Sequence, residues 1–251
     1  NPIYNIIFNI DILELGFDDM VRDPTLCEET TDQAPIGCAQ ARAFRARIGP
    51  VEFLTAPGEV TPEIAWGLPL SDPQFILESE DAMTALIGLG ANLASDLGSP
   101  TESIYLALLE LGRLSLTEIC ASALYESEAI GCPPGSPNFI NAVVAISLPR
   151  DHDAEVLLDL LQNIERDFGR AFNRQSNAPR SLDLDLLCFG STVISSPRLD
   201  LPHPRATLRR FVLEPLAEIA PDLILPGQIV PVRELLDCLP PKPWVRRLSG
   251  I

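Results

Sequence analysis

The sequence predicts an α+β sandwich: an antiparallel sheet packed with helices, preceded by an irregular N-terminal extension. Three observations carry that prediction. Strand-like apolar runs alternate with amphipathic, helix-length stretches between residues 84 and 219, and the first 82 residues show no such periodicity. The segment Leu182-Asp-Leu-Asp-Leu-Leu187 alternates Leu with Asp, the period of a strand with one buried face. With 251 residues, 46% of them hydrophobic, the chain has room for one sizeable core plus an extension.

A strand over 84–89 opens in Met83-Thr-Ala-Leu-Ile-Gly-Leu-Gly90 and leads through Gly88, Gly90 and Asn92 into a loop. A helix over 101–112 and a strand over 116–126 follow. The run Gly131-Cys-Pro-Pro-Gly-Ser-Pro137 forces a loop before a strand at 139–148. Leu157, Leu161, Ile164 and Phe168 form one stripe and predict a helix over 153–168, capped by Asp151 or Asp153 and stopped at Gly169. A polar loop at 169–181 leads into the acidic strand at 182–189. The turn Leu201-Pro-His-Pro204, a helix near 211–219 and a proline-rich tail complete the chain. The order β-α-β-β-α-β is that of a ferredoxin-like fold, which by itself names no function.

Residues 1–82 read as an extension of unknown role, and residues 83–251 as the folded domain. Seven prolines, from Pro24 to Pro73, punctuate the extension, where Ile3 to Ile12 suits a strand and Ala39 to Arg47 a short helix. It holds 15 acidic side chains against 4 arginines, and the rest of the chain 20 against 14 basic ones. Met83 is a candidate natural start. A net charge of −17 argues against nucleic-acid binding through a basic surface. No apolar run reaches membrane-spanning length, so no membrane association is expected. The six cysteines are scattered without a CxxC pair, which fits reduced thiols in a cytoplasmic protein.

The chemistry concentrates in Arg180-Ser-Leu-Asp-Leu-Asp185. On a strand, Asp183 and Asp185 project from one face while Leu182, Leu184 and Leu186 turn toward a core. Two carboxylates held this close need a cation between them, and magnesium bridging substrate phosphates is the common case. Arg180 adds a fixed positive charge suited to phosphate oxygens. The same alternation also describes a half-buried edge strand with a solvated acidic face.

Several blocks then coincide, in order, with one family. They are Gly88-Leu-Gly-Ala-Asn-Leu93, Asn138-Phe-Ile-Asn141, Arg180-Ser-Leu-Asp-Leu-Asp-Leu-Leu187, Leu201-Pro-His-Pro-Arg205 and Arg209-Arg-Phe-Val-Leu-Glu-Pro-Leu216. Over residues 84–240 the chain resembles the 6-hydroxymethyl-7,8-dihydropterin pyrophosphokinases of folate biosynthesis. The resemblance implies a ferredoxin-like core and transfer of pyrophosphate from MgATP to the pterin's hydroxymethyl oxygen, releasing AMP. It implies that Asp183 and Asp185 bind two Mg2+ ions and that Arg170 and Arg180 contact the transferring phosphates. Gln162, Glu165, Leu186, Arg198, His203 and Arg209 match positions on the nucleotide side. Ser127, Ile130, Phe139, Asn141 and Phe211 match the pterin side, with the two Phe rings as a sandwich and Asn141 on the pteridine edge. A monomer or weak dimer is expected. Asn177 stands where many members carry Trp, Phe172 where the residue is often basic, Pro204 where an aromatic sometimes occurs, and Glu128-Ala129 where prolines are usual. These departures bear on loop closure and affinity rather than on the acid pair. Two other readings follow: a nucleotide- or pterin-binding protein without turnover, and a bifunctional folate enzyme with a second role in residues 1–82.

Overall fold

A computed structural model of the chain describes residues 81–117, 119–169 and 179–248. The expected strand and helix within residues 1–80, and Arg170, Phe172 and Asn177, lie outside the described residues. The first strand, β1 (Ala82–Ala91), runs into helix α1 (Pro100–Leu114). Ser99 caps that helix in a reciprocal capping box with Glu102, and Pro100 takes the first helical position, where its missing N–H costs nothing. Two short strands, β2 (Cys120–Ala121) and β3 (Tyr125–Ser127), replace the single strand expected over 116–126. The break has a long-range cause: Ala123 donates its N–H to the Glu218 carboxylate instead of to a neighbouring strand.

Strand β4 (Phe139–Pro149) leads to helix α2 (Ala154–Asp167), whose cap is Asp153, with Oδ1 accepting from Glu155 N at 2.7 Å. Gly169 ends it at φ 87°, a left-handed conformation suited to glycine. The acidic strand is β5 (Asp183–Phe189); the hairpin of β6 (Ile194–Ser195) and β7 (Asp200–Leu201) follows. Helix α3 (Arg210–Ile219), helix α4 (Val232–Asp237) and strand β8 (Val245–Arg247) complete the described chain. The proline-rich tail is therefore built into the fold.

The strand order β5-β1-β4-β3 is the ferredoxin-like one, and β8 extends the sheet beyond β3. Alternation along the strands divides the core into two layers. Ala85, Ile87, Leu89 and Ala91 of β1 join Ala142, Val144 and Ile146 of β4 and Leu182, Leu184 and Leu186 beneath α1 and α2. Leu86, Val143, Ala145, Leu187 and Cys188 turn the other way, against Val212, Leu213 and Leu216 of α3. Along that second face the row in β1 continues from Leu86 to Gly88 and Gly90, where no side chain is available for a helix to cover. The functional residues gather on this part of the sheet.

Candidate active site

Backbone register assembles the site. Gly90 of β1 is paired with Asp183 of β5 on one side and with Asn141 of β4 on the other. Asn141 is paired with Tyr125 of β3, and Tyr125 with Arg247 of β8. Residues directly opposite in antiparallel strands share a face, so Asp183, Asn141, Tyr125 and Arg247 form one rank across the sheet with a gap at Gly90. The next rank sets Asp185 beside Gly88. A Cβ on Gly90 would lie 3.6 Å from Asn141 Oδ1 and 3.9 Å from the Phe139 ring. The two glycines thus leave a trough between the acid pair and the Asn141/Phe139 wall.

Beyond Asp185 the β1–β5 register slips: Ile87 faces Leu186, yet Leu86 faces Cys188. Leu187 is the extra residue of a β-bulge, which turns both Leu187 and Cys188 toward the α3 layer. The Leu187 carbonyl then accepts the N–H of His203 at 2.9 Å, which hangs the His203 turn beside Asp185. Glu165 of α2 is 3% exposed and accepts the N–H of Leu184, between the two acids, at 2.8 Å. Gln162, three residues earlier, is exposed, so the two do not share an environment.

The electrostatics follow from this crowding. Arg180 Nη1 contacts Asp183 Oδ1 at 2.6 Å, and Arg209 Nη1 lies 3.7 Å from Asp185 Oδ2. Burial, then the neighbouring Asp183 charge, pushes the Asp185 carboxyl above the usual carboxylate range, against the pull of His203, Arg209 and Arg180. Burial lowers His203, aided by Arg209 and Arg205, although Asp185 opposes the shift. His203 Nδ1 accepts the N–H of Arg205 at 3.1 Å, which assigns the proton of the neutral ring to Nε2. Burial and Arg205 also lower Arg209, whose guanidinium carbon sits 5.3 Å from the centre of the Phe211 ring. On Arg180, burial works downward, but Asp183 and Asp185 more than offset it.

A cavity of about 250 Å³ adjoins Asp185. Leu158, Leu184, Leu186, Leu199 and Pro204 give it apolar lining, and Arg198, Asp200 and His203 a polar rim. Arg198 is drawn toward α2 by Glu155 at 3.4 Å and Asp159 at 2.5 Å. Across the trough, Asn141 Nδ2 donates toward Ser127 Oγ at 3.0 Å and the carbonyls of Tyr125 and Phe139 at 3.2 and 3.4 Å. Ile130 stands 63% exposed in the β3–β4 loop.

Two contributors were given no role from the sequence. Asn92, 2% exposed, accepts the N–H of Arg180 with Oδ1 at 2.8 Å and donates to the Pro137 carbonyl with Nδ2 at 3.0 Å. Its place directly after the glycine strand, within the block Gly88–Leu93, was the available signal. Glu218 is the other, and its partners are distant in sequence.

Carboxylates and guanidinium groups ranged along an open trough form the charge pattern of an enzyme handling phosphoryl groups. The family sequence model of 7,8-dihydro-6-hydroxymethylpterin-pyrophosphokinase (HPPK) matches residues 86–221. A 2-amino-4-hydroxy-6-hydroxymethyldihydropteridine pyrophosphokinase of Pseudomonas aeruginosa is 43% identical over 169 residues, covering 65% of this chain and 96% of the relative. The Haemophilus influenzae protein of the same name is 40% identical over 146 residues, covering 58% and 86%. A folate synthesis bifunctional protein of Arabidopsis thaliana is 34% identical over 57% of this chain and 28% of its own length. Among solved structures, a Plasmodium falciparum HPPK-DHPS crystallised with pterin and p-hydroxybenzoate gives a TM-score of 0.47 at 15% identity, and the match spans 65% of this chain and 45% of that one. The chain belongs to the HPPK family.

Proposed function

We propose that the trough performs pyrophosphoryl transfer from ATP to 6-hydroxymethyl-7,8-dihydropterin, the folate-pathway reaction for which the family's members are named. The observation that carries this reading is the single rank joining Asp183, Gly90 and Asn141. A carboxylate pair suited to a cation and an amide suited to a pteridine edge stand on either side of a cleared floor.

The hydroxymethyl oxygen, releasing its proton to solvent, attacks the β-phosphorus as the bond from that phosphorus to the α-bridging oxygen breaks, so AMP leaves with the electron pair. Such a displacement asks mainly for alignment and charge neutralisation. Asp183 and Asp185 fit magnesium: they are hard oxygen donors on one face, and the raised Asp185 carboxyl reports charge that a cation would relieve. Bound with ATP, magnesium supplies neutralisation of the triphosphate charge. Arg180 and Arg209, already ordered against the acids, are placed to move onto phosphate oxygens, and we assign Arg170 the same part. The apolar cavity with its His203 and Arg198 rim suits the nucleoside, and Leu186 belongs to its floor. Asn141 Oδ1, Phe139, Phe211 and the loop from Ser127 to Ile130 are assigned to the pterin. Residues 83–251 carry this activity and residues 1–82 are an appended segment; we place the protein in the cytoplasm as a monomer or weak dimer.

The test is direct. Incubation with MgATP, with and without 6-hydroxymethyl-7,8-dihydropterin, is expected to give AMP only when the pterin is present. ADP would point to ordinary kinase chemistry, and pterin binding without nucleotide turnover to a binding protein.

A further inference from the structure

The pterin side of the trough rests on a weak element. Strand β3 has three residues, and its outer edge would be open if the sheet ended there. Yet Asn141, the polar group facing Gly90, depends on β3 for two of its three acceptors, the Tyr125 carbonyl and Ser127 Oγ. With Nδ2 committed to these groups, Oδ1 is left as the atom beside Gly90. The position of β3 therefore fixes the direction in which the Asn141 amide presents its oxygen.

Beyond its pairing with β4, two features hold β3 in place, and both lie outside the residues assigned to either substrate. Strand β8 pairs along its free edge, with Val245 opposite Ser127 and Arg247 opposite Tyr125, and Leu248 N donates to the Leu124 carbonyl at 2.8 Å. On the same face as the trough, Glu218 of α3 gathers donors from two separate segments, the β2–β3 stretch and β8. Its Oε2 accepts from Ala123 N and the Tyr125 hydroxyl, each at 3.0 Å, and its Oε1 accepts from Arg247 Nε and Nη2 at 3.2 and 2.9 Å. Tyr125 is 6% exposed, so its hydroxyl has little water to fall back on. The family match ends at residue 221, before β8 begins.

We propose that Glu218 and Arg247 are positioning residues for pterin recognition: together with β8 they lock β3 so that Asn141 presents Oδ1 to the pterin. The clamp acts through Tyr125 and touches neither the acid pair nor the nucleotide cavity. It rests on the assignment of Asn141 to the pterin, so Asn141→Ala serves as the reference variant.

The experiment compares Arg247→Ala, Arg247→Lys, Glu218→Gln and Asn141→Ala, well below their melting temperatures, for kcat and for KM of pterin and of ATP. Arg247 is more than half exposed, which makes its removal compatible with folding. Arg247→Ala and Glu218→Gln are expected to raise the pterin KM about three- to tenfold, the effect of losing one or two hydrogen bonds, with the ATP KM unchanged. Arg247→Lys is expected to recover part of the loss, and Arg247→Ala on top of Asn141→Ala to add little, because both act on one amide. The proposal fails if Asn141→Ala raises the pterin KM and the clamp variants do not, or if they raise both KM values together, as general loosening would. If Asn141→Ala leaves pterin binding unchanged, the pocket assignment itself falls and takes the clamp with it.

Discussion

At the scale of single residues, the two acids are not equivalent. Asp183 is paired at 2.6 Å with Arg180, whereas Asp185 has its carboxyl pushed up by burial and by Asp183. Asp185→Asn is therefore expected to keep or slightly raise stability, and Asp183→Asn to show no such gain because it releases Arg180. Both should lower kcat by about a hundredfold or more, the scale for losing a preorganised charge at the transition state. Urea unfolding beside AMP formation checks the pair of outcomes; an active but unfolding-prone variant would make the acids structural. Glu165 stands apart from them: it caps a buried strand N–H, so Glu165→Ala is expected to cost about 1–3 kcal/mol of stability while Glu165→Gln, which keeps an acceptor, costs less. The alternation Leu-Asp-Leu-Asp made the common face of Asp183 and Asp185 legible from sequence. The buried task of Glu165 was not, because helical spacing puts Gln162 and Glu165 near one another without saying which faces β5.

At the scale of elements, β1 owes its function to what it lacks. Gly88 and Gly90 fall on the site face by the period of two, and a Cβ at Gly90 would make only ordinary contacts with Asn141 and Phe139. Gly90→Ala is expected to fold with stability within about 1 kcal/mol of the parent, since alanine also lowers unfolded-chain entropy. Its methyl group would occupy the trough and raise the pterin KM, which thermal melts and initial-rate kinetics would separate. The long strands and helices were legible because burial and periodicity agree within each of them. Strand 116–126 was misread as continuous because Ala123 N–H turns to a carboxylate 95 residues away. The helix and strand of the tail left no sequence signal for the same reason: Arg210 Nη1 holds the Leu239 carbonyl at 3.1 Å and Glu218 holds Arg247, and no local pattern encodes such partners.

At the scale of the molecule, the α3 layer hides two thiols that should respond to alkali. Burial, with Glu218 adding to it, pushes Cys120 from 9.0 up to about 11, and burial pushes Cys188 from 9.0 up to about 12. Both are raised in the fold, so their contribution to stability is fully present below the unfolded value of 9.0 and is lost as pH rises through the folded values. Urea midpoints measured from about pH 8 upward are expected to fall beyond about pH 9, with a shallower fall in Cys188→Ala. Exposed Cys238 should react with a thiol reagent well before Cys120 or Cys188. A midpoint independent of pH over that range would mean the α3 layer admits water. The sheet-and-helix sandwich was legible in the sequence; that the α3 layer stops at Gly88 required the register.

Asn92 holds Arg180 with one end of its amide and Pro137 with the other. The segment entering the acid pair and the loop bordering the pterin wall therefore share a joint. A ligand that stills one side relieves the second ligand of part of its ordering cost. Linkage makes the benefit mutual: whatever factor the pterin adds to nucleotide affinity, the nucleotide returns to the pterin. Titrating each ligand in the absence and presence of the other, with a non-hydrolysable ATP analogue, is expected to give one common factor above unity, and Asn92→Ala to bring it toward one. The two substrates are then cooperative guests of a single hinge pin.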